Sequence, residues 1–251
     1  MRIISFDLEI ANEIPPAPED DPYSTDWRDY RPLGITCAAA CFKTARNEYI
    51  YKEWQGVPQM TMDECREMVN DLQGYQQRGF TIASFNGLGF DFDVLAEESG
   101  MQEACTGLAS HHVDIMFQWF CHKGWRIGLD GTCKANGVEG KLHEVTLKSG
   151  EVVTEIDGAD APRMWKEGEH EAVLTYLRED VRATLDLAHI IQKQRQIQYW
   201  SQAGKAHSIQ VPGLMTVRES LAVKAPYVGW MDDATPRDYF YGWMEENNEH
   251  N

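Results

Sequence analysis

Arg2-Ile3-Ile4-Ser5-Phe6-Asp7-Leu8-Glu9-Ile10 reads as a buried strand that carries two acids. Side chains alternate across a strand, so Asp7 and Glu9 project from one face while Phe6, Leu8 and Ile10 point to the other. Two like charges that close raise each other's pKa unless a cation lies between them. One reading is therefore a divalent-metal site, because carboxylate oxygens suit Mg²⁺ or Mn²⁺. The other is a strand end with two solvated acids.

Working outward, Asn12 to Pro32 is rich in proline and acid, lacks periodicity and is expected to be a long loop hanging near the acid pair. Leu33 to Phe42 and Glu48 to Glu53 read as two more strands joined by a polar turn, which makes a three-stranded meander. Met60 to Gly79 has Thr61 and Glu64 at capping-box spacing and Met62, Cys65, Met68, Val69 and Leu72 at helical intervals. Gly79 to Phe85 gives a fourth strand, and a helical return beside a meander predicts a mixed sheet. That strand runs into Asn86-Gly87-Leu88-Gly89-Phe90-Asp91, a glycine-bearing turn ahead of a short helix. In open α/β sheets, sites form at the carboxyl ends of strands. His111 to Phe120 fits strand or helix, Leu129 to Gly137 a short helix, and Glu139 to Asp160 a hairpin turning at Ser149-Gly150. Trp165 to Gln198 is the strongest helical pattern. Within it Tyr176 and Asp180 are four apart, so a hydroxyl and a carboxylate share one helix face.

The 251 residues allow one large domain or two small ones. No apolar run approaches the ~20 residues of a membrane span, and the first strand, cut by Asp7 and Glu9, is not expected to act as a secretory signal. A cytoplasmic protein without a membrane partner is expected. Six cysteines lie scattered without a CxxC pair, so neither a zinc knuckle nor a disulfide framework is indicated, and Cys37 and Cys41 read as packing residues. The net charge of −17 opposes binding to phosphate. Its distribution is uneven: residues 1–30 carry eight acids against Arg2 and Arg28, whereas Leu187 to Lys224 has five basic residues against Glu219 alone. In that segment Lys193 and Arg195 are candidate substrate contacts, beside Tyr199, Trp200 and His207. A solvated helix face followed by a loop is the plainer account of it.

Taken together, Phe6-Asp7-Leu8-Glu9, Asn86-Gly87-Leu88-Gly89-Phe90-Asp91 and Tyr176-Leu177-Arg178-Glu179-Asp180 resemble the three motifs of the DEDD exonucleases. These have a ribonuclease H-like fold, and the likeness is closest to the exonuclease domains of family B polymerases, of the tyrosine type. It covers about residues 1–195; Thr175 stands where the histidine type needs its histidine. The resemblance implies an α/β, ribonuclease H-like mixed five-stranded sheet with flanking helices over 1–198; residues 199–251, which have no counterpart in the family, are expected as a C-terminal extension packed on the same domain. It also implies a 3′→5′ exonuclease, DNA favoured over RNA, that releases nucleoside 5′-monophosphates with two Mg²⁺ or Mn²⁺ ions. Asp7 would bridge the ions, Glu9 and Asp180 would bind the one that activates water, Asp91 would hold the second, and Tyr176 would position the water. Asn86 and Phe90 would contact substrate. The implied partner is nucleic acid with a free 3′ end, single-stranded by preference, with a separate polymerase or repair protein as a further expectation.

Several residues have plainer readings. Asp93 is the alternative second-motif ligand, ranked behind Asp91 because Asp91 directly follows Phe90. Asp114 reads as a cap, Asp186 as the solvated face of the long helix, and the histidines as surface or satisfied core residues. Trp200, Trp230 and Trp243 read as docking the C-terminal segment rather than stacking on bases. A binding module on the same fold without turnover is the alternative function. An aspartyl phosphatase of the haloacid-dehalogenase type ranks third, because that class wants an Asp where Glu9 stands.

Overall fold

The computed structural model describes residues 1–16, 26–140, 144–154, 156–201 and 203–245. In chain order the strands and helices are β1 (Arg2–Ile10), β2 (Ile35–Lys43), β3 (Tyr49–Gln55), α1 (Met62–Gln77), β4 (Phe80–Ser84), α2 (Asp91–Ser99), α3 (Gln102–His111), β5 (Val113–Asp114), α4 (Ile115–Lys123) and α5 (Leu129–Asn136). A small hairpin follows, β6 (Glu144–Thr146) and β7 (Val152–Thr154), then α6 (Ala161–Lys166) and α7 (His170–Gln194). The chain ends in β8 (Gln196–Trp200), β9 (Ala206–Gln210), α8 (Val217–Leu221) and α9 (Asp238–Tyr241). Five strands form one mixed sheet in the order β3-β2-β1-β4-β5. The first three strands run antiparallel, and β4 and β5 run parallel to β1. The fold is α/β with flanking helices, as the sequence predicts.

β1 is central because both of its faces are used. Phe6 points to the face covered by α2, its ring 5.6 Å from Phe92, and lies edge-on to Trp54. Ser5, on the opposite face with Asp7 and Glu9, donates to the Val181 carbonyl of α7 at 2.6 Å. The long helix is thereby fastened to the strand beside its own acid. Further along α7, Asp186 accepts from Lys43 Nζ at 2.6 Å and Tyr49 Oη at 2.6 Å, so it anchors the helix to the meander and is not the solvated acid expected.

Local signals explain most boundaries. Thr61 and Glu64 form the capping box that opens α1, and Thr216 with Glu219 does the same for α8. His111 to Phe120 resolves into the end of α3, the two-residue β5 and most of α4, with Asp114 capping α4. The long helical pattern is shorter than Trp165 to Gln198. Gly168 at φ +85° separates α6 from α7, and Arg195, itself left-handed at φ 57°, ends α7 and turns the chain into β8. A boundary at 198/199 therefore falls inside a strand. Of the proline-rich stretch expected as a loop, residues 17–25 lie outside the described residues, as do 141–143 and 155 of the expected hairpin; Trp27–Tyr30 form a 3₁₀ turn. All six cysteines are buried and unbridged, and burial pushes the Cys41, Cys65 and Cys105 thiols up to about 12. Among the described residues no helix is long and apolar enough to cross a membrane.

The C-terminal segment belongs to the same core cluster as β1. Phe240 is fully buried against Phe117 and Phe120, with centroid distances of 5.5 and 4.7 Å. Trp243 is buried too, as the docking reading expects, whereas Trp200 and Trp230 are 47% and 65% exposed. Truncating a buried Phe to Ala costs about 3–5 kcal/mol through lost transfer energy and the cavity left behind. Phe240→Ala is expected to lose that much in urea unfolding while keeping one cooperative transition; a separate early transition would show that the C-terminal segment unfolds on its own.

Candidate functional site

The turn after β4 is held by a buried carboxylate. Asp114 Oδ1 accepts the Asn86 N–H and the Phe117 N–H at 3.0 Å each, and Oδ2 accepts the Leu88 N–H at 2.9 Å. Burial raises the Asp114 pKa, and these three N–H groups oppose that rise. The capping role expected of Asp114 is thus half of its work; the other half fixes the Asn86–Gly89 turn. Gly87 and Gly89 are there for close approach. A Cβ on Gly87 would lie 2.4 Å from Ser84 Oγ, and one on Gly89 would lie 2.8 Å from the Phe240 ring. Trp243 Nε1 completes the support by donating to the Leu88 carbonyl at 2.8 Å.

Beneath this turn, His112 is fully buried with Nδ1 2.6 Å from the Ala109 carbonyl and Nε2 3.0 Å from Ser84 Oγ. A carbonyl only accepts, so Nδ1 carries the proton and Nε2 accepts from the Ser84 hydroxyl. Ser84 Oγ in turn accepts the Gly87 N–H at 3.2 Å. Burial lowers the His112 pKa to about 4, in keeping with a neutral ring.

This scaffold delivers Asp91 to β1. Its Oδ1 accepts the Leu8 N–H at 3.0 Å. Burial pushes the carboxyl up to about 7, while hydrogen bonds to the Asp7 side chain and the Leu8 backbone pull the other way. Burial thus disfavours the ionised form of Asp91, and its contacts with Asp7 and Leu8 favour it. Asp93, the rival second-motif ligand, is buried elsewhere. It is paired with Arg28 at 3.3 Å and with Arg31, in a cluster where Trp27 lies edge-on to Phe90 at 4.9 Å.

Asp7 and Asp180 line one cavity of about 410 Å³ together with Phe85, Gly128, Leu129, Asp130 and Thr184. Tyr176 is 1% exposed and sits one helical turn before Asp180. Glu9 is buried two positions along β1 from Asp7, just before a register shift that follows it, and a Cβ on Gly158 would lie 3.9 Å from its Oε2. Its charge helps to raise the pKa of Cys37, which pairs opposite it, after burial as the main cause. Asp7, Asp91 and Asp180 thus come to one region, with Glu9 and Tyr176 beside them. Asn86 and Phe90 sit in the turn that bears Asp91, Asn86 at φ 73°.

Lys193 and Arg195 are not brought to the cavity. They lie at the far end of α7, about 20 Å along the axis from Asp180, where Lys193 is exposed and Arg195 Nη1 donates to the Pro212 carbonyl. Asp130 is the lining acid that motif reasoning misses, because nothing in its own neighbourhood but a helix start marks it. Ser5 is missed as well, although it shares the strand face of Asp7 and Glu9.

Hard carboxylate oxygens are the donors that Mg²⁺ or Mn²⁺ takes. Asp7, Asp91 and Asp180 offer them, though among the described residues no three His, Cys, Asp or Glu side chains already stand as a ready metal group. A cation there would offset the burial that disfavours the charged form of Asp91.

A model of the RNase_H superfamily, RNase_H_2, matches residues 34–192, more than half of the chain and everything from β2 to near the end of α7. No curated protein matches the chain.

Protonating His112 below its ordinary range is costly in the folded chain and not in the unfolded one. Its contribution to stability is full above pH ~6.5 and is lost as pH falls toward 4, about 3 kcal/mol in all. The urea-unfolding gap between the parent and His112→Asn is expected to narrow by about that amount between pH 7 and pH 4; a constant gap would mean that the ring takes up its proton equally in the folded and unfolded chain.

Proposed function

The chain belongs to the RNase_H superfamily, and we propose that it is a metal-dependent 3′→5′ exonuclease acting on nucleic acid, with single-stranded DNA favoured. The observation that carries this reading is that acids from three separate elements, Asp7 on β1, Asp91 on α2 and Asp180 on α7, come to one region, where Asp91 bonds Asp7 and Asp7 and Asp180 line one open cavity. Such a set concentrates negative charge in a buried place, an arrangement that makes sense when cations neutralise it.

Asp7, Glu9, Asp91 and Asp180 are the proposed holders of two divalent ions, which when bound would activate water and neutralise charge at the scissile phosphate. The chain's own contribution is placement. Leu8 N–H fixes one Asp91 oxygen, leaving the rest of that carboxyl directed at Asp7. The Ser5 to Val181 bond holds the strand and helix at a set separation beside Asp180. Tyr176 is proposed to orient the attacking water by its hydroxyl, since a phenol of pKa ~10 is a poor base at neutral pH. Phe85 and Leu129 give the cavity apolar walls suited to the terminal sugar and base, and Asn86 and Phe90, in the turn that bears Asp91, are proposed as further substrate contacts. In-line attack at the last phosphorus breaks the bond to the 3′ oxygen of the preceding residue, and a nucleoside 5′-monophosphate leaves with the added oxygen.

The test is a gel time course on 5′-labelled single-stranded DNA and RNA of one sequence with Mg²⁺, Mn²⁺ or chelator. A metal-dependent ladder shortening from the 3′ end is expected. Loss of several kcal/mol of transition-state stabilisation in Asp7→Ala corresponds to about 10³-fold or more in rate, and Tyr176→Phe should cost roughly 10- to 100-fold. Intact substrate in every lane, from folded protein, would instead favour a binding module without turnover.

A further inference from the structure

The positive charge of this acidic chain is not spread evenly. Residues 115–138 and 187–224 together hold eight Lys and Arg against Asp130 and Glu219, while the rest of the chain holds fifteen against thirty-eight acids. The fold packs the two segments together. On Gly131 of α5 a Cβ would lie 2.6 Å from the Trp200 carbonyl and 2.7 Å from the Tyr199 ring, and Asn136 Nδ2 donates to the Gln198 carbonyl at 2.8 Å. The β8–β9 hairpin is therefore held rigidly on α5.

Aromatic groups run through the same face. Trp119, Trp125, Tyr199 and His207 contact one another with ring centroids 5.1 to 6.4 Å apart. Beyond them the Trp200 indole is 47% exposed, with Lys134 Nζ 5.9 Å from its ring, and Lys123 Nζ lies 5.9 Å from Trp119. Slight burial first, and then the charges of Lys205 and Lys123, lower the His207 pKa, which places both lysines around that ring. The face also reaches the cavity. Asp130 lines it, and Lys134 is four residues further along the same helix, one turn away.

We propose that α5 and the β8–β9 hairpin form a track for single-stranded nucleic acid that leads from the Asp7–Asp180 cavity past Lys134 and Trp200 toward Lys205. The proposal rests on the nuclease reading of that cavity. An exposed indole offers a surface for unpaired bases, and flanking ammonium groups take phosphates without reading sequence. A duplex keeps its bases stacked inside and would leave the indole unused. Lys193 and Arg195 have no part in the track.

The test uses the full chain in chelator, so that binding is measured without turnover, with a 5′-fluorescein-labelled 20-mer of thymidylate and anisotropy across a salt series. Lys134→Glu/Lys205→Glu is expected to weaken binding at least tenfold and to flatten the slope of log affinity against log salt by about 1.4, from roughly 0.7 per phosphate contact on single strands. Trp200→Ala should lose about fivefold or more, with Trp200→Phe retaining most of the affinity. The charge-matched control is Lys52→Glu/Lys166→Glu, at ion pairs with Asp71 and Glu13 elsewhere on the surface. Equal losses in the two lysine pairs, or none in either, would overturn the track, since net charge alone would then account for binding. A parent that never cleaves with Mg²⁺ or Mn²⁺ while these differences persist would sink the nuclease reading and leave the track. A parent that cleaves while the track variants bind as it does would sink the track alone.

Discussion

The Asp91 carboxyl reaches across from the start of α2 to bond the backbone of the central strand at Leu8 and the side chain of Asp7. Two acids in contact under burial cannot both ionise cheaply, so the contact requires either a proton or a cation between them. Other parts of the molecule arrange for this contact to exist. The meander covers one edge of β1 with β2, and the capped α1 returns the chain so that β4 lies parallel along the other edge. α7 then crosses the strand face that bears Ser5, Asp7 and Glu9, bringing Asp180 to the same place.

Holding Asp91 at that point demands a turn that cannot relax. Asn86 is left-handed and Phe90 sits at φ −147°, ψ −74°, outside the regular regions. The structure fixes them from three directions: Asp114 receives N–H groups from above, the Ser84–His112 pair holds Gly87 from below, and Phe240 and Trp243 close the outer side. Each of these is a hydrogen bond or contact that stays dry, where an unmet partner costs most. The C-terminal segment, which has no counterpart in the motif pattern, is thus part of what keeps the second motif in shape.

The sheet, and the strand face and helix face on which the acids stand, were legible in the sequence because each is written locally. Alternation sets Asp7 and Glu9 on one face, Thr61 and Glu64 announce a helix start, and a four-residue spacing joins Tyr176 to Asp180. What was not legible depends on contacts between distant segments. Asp186 looks like any polar residue on an amphipathic helix until Lys43 and Tyr49 are seen opposite it, 137 or more residues away in the chain. Asp130 becomes a lining residue only when α5 is folded against the mouth of the cavity. Lys193 and Arg195 mislead for the opposite reason: their charge is visible in sequence, but the length of α7 carries them away from Asp180, and the turn into β8 uses Arg195 for itself. The overlong helical reading fails at Gly168, where one residue of positive φ ends a pattern that periodicity alone continues.

Charge segregation is how a chain of net −17 can be reconciled with a polyanionic substrate. Long-range attraction follows net charge, but at physiological ionic strength it fades within about 8 Å, so a ligand near the surface responds to the nearest groups. The α5 and β8–β9 face gathers Lys123, Lys134 and Lys205 about Trp119, Trp200 and His207, and can therefore hold phosphates while the remote acidic surface repels only weakly. On the proposed reading the same argument would limit affinity, because Asp7, Asp130 and Asp180 line the cavity at one end of that face and would repel a terminal phosphate unless cations neutralised them. On the proposed nuclease reading, binding of the substrate end and binding of cations would be coupled, since the carboxylates would admit the phosphate only once their charge is neutralised. α5 joins the two halves of this arrangement, with Asp130 at the cavity and Lys134 one turn along the helix toward the hairpin.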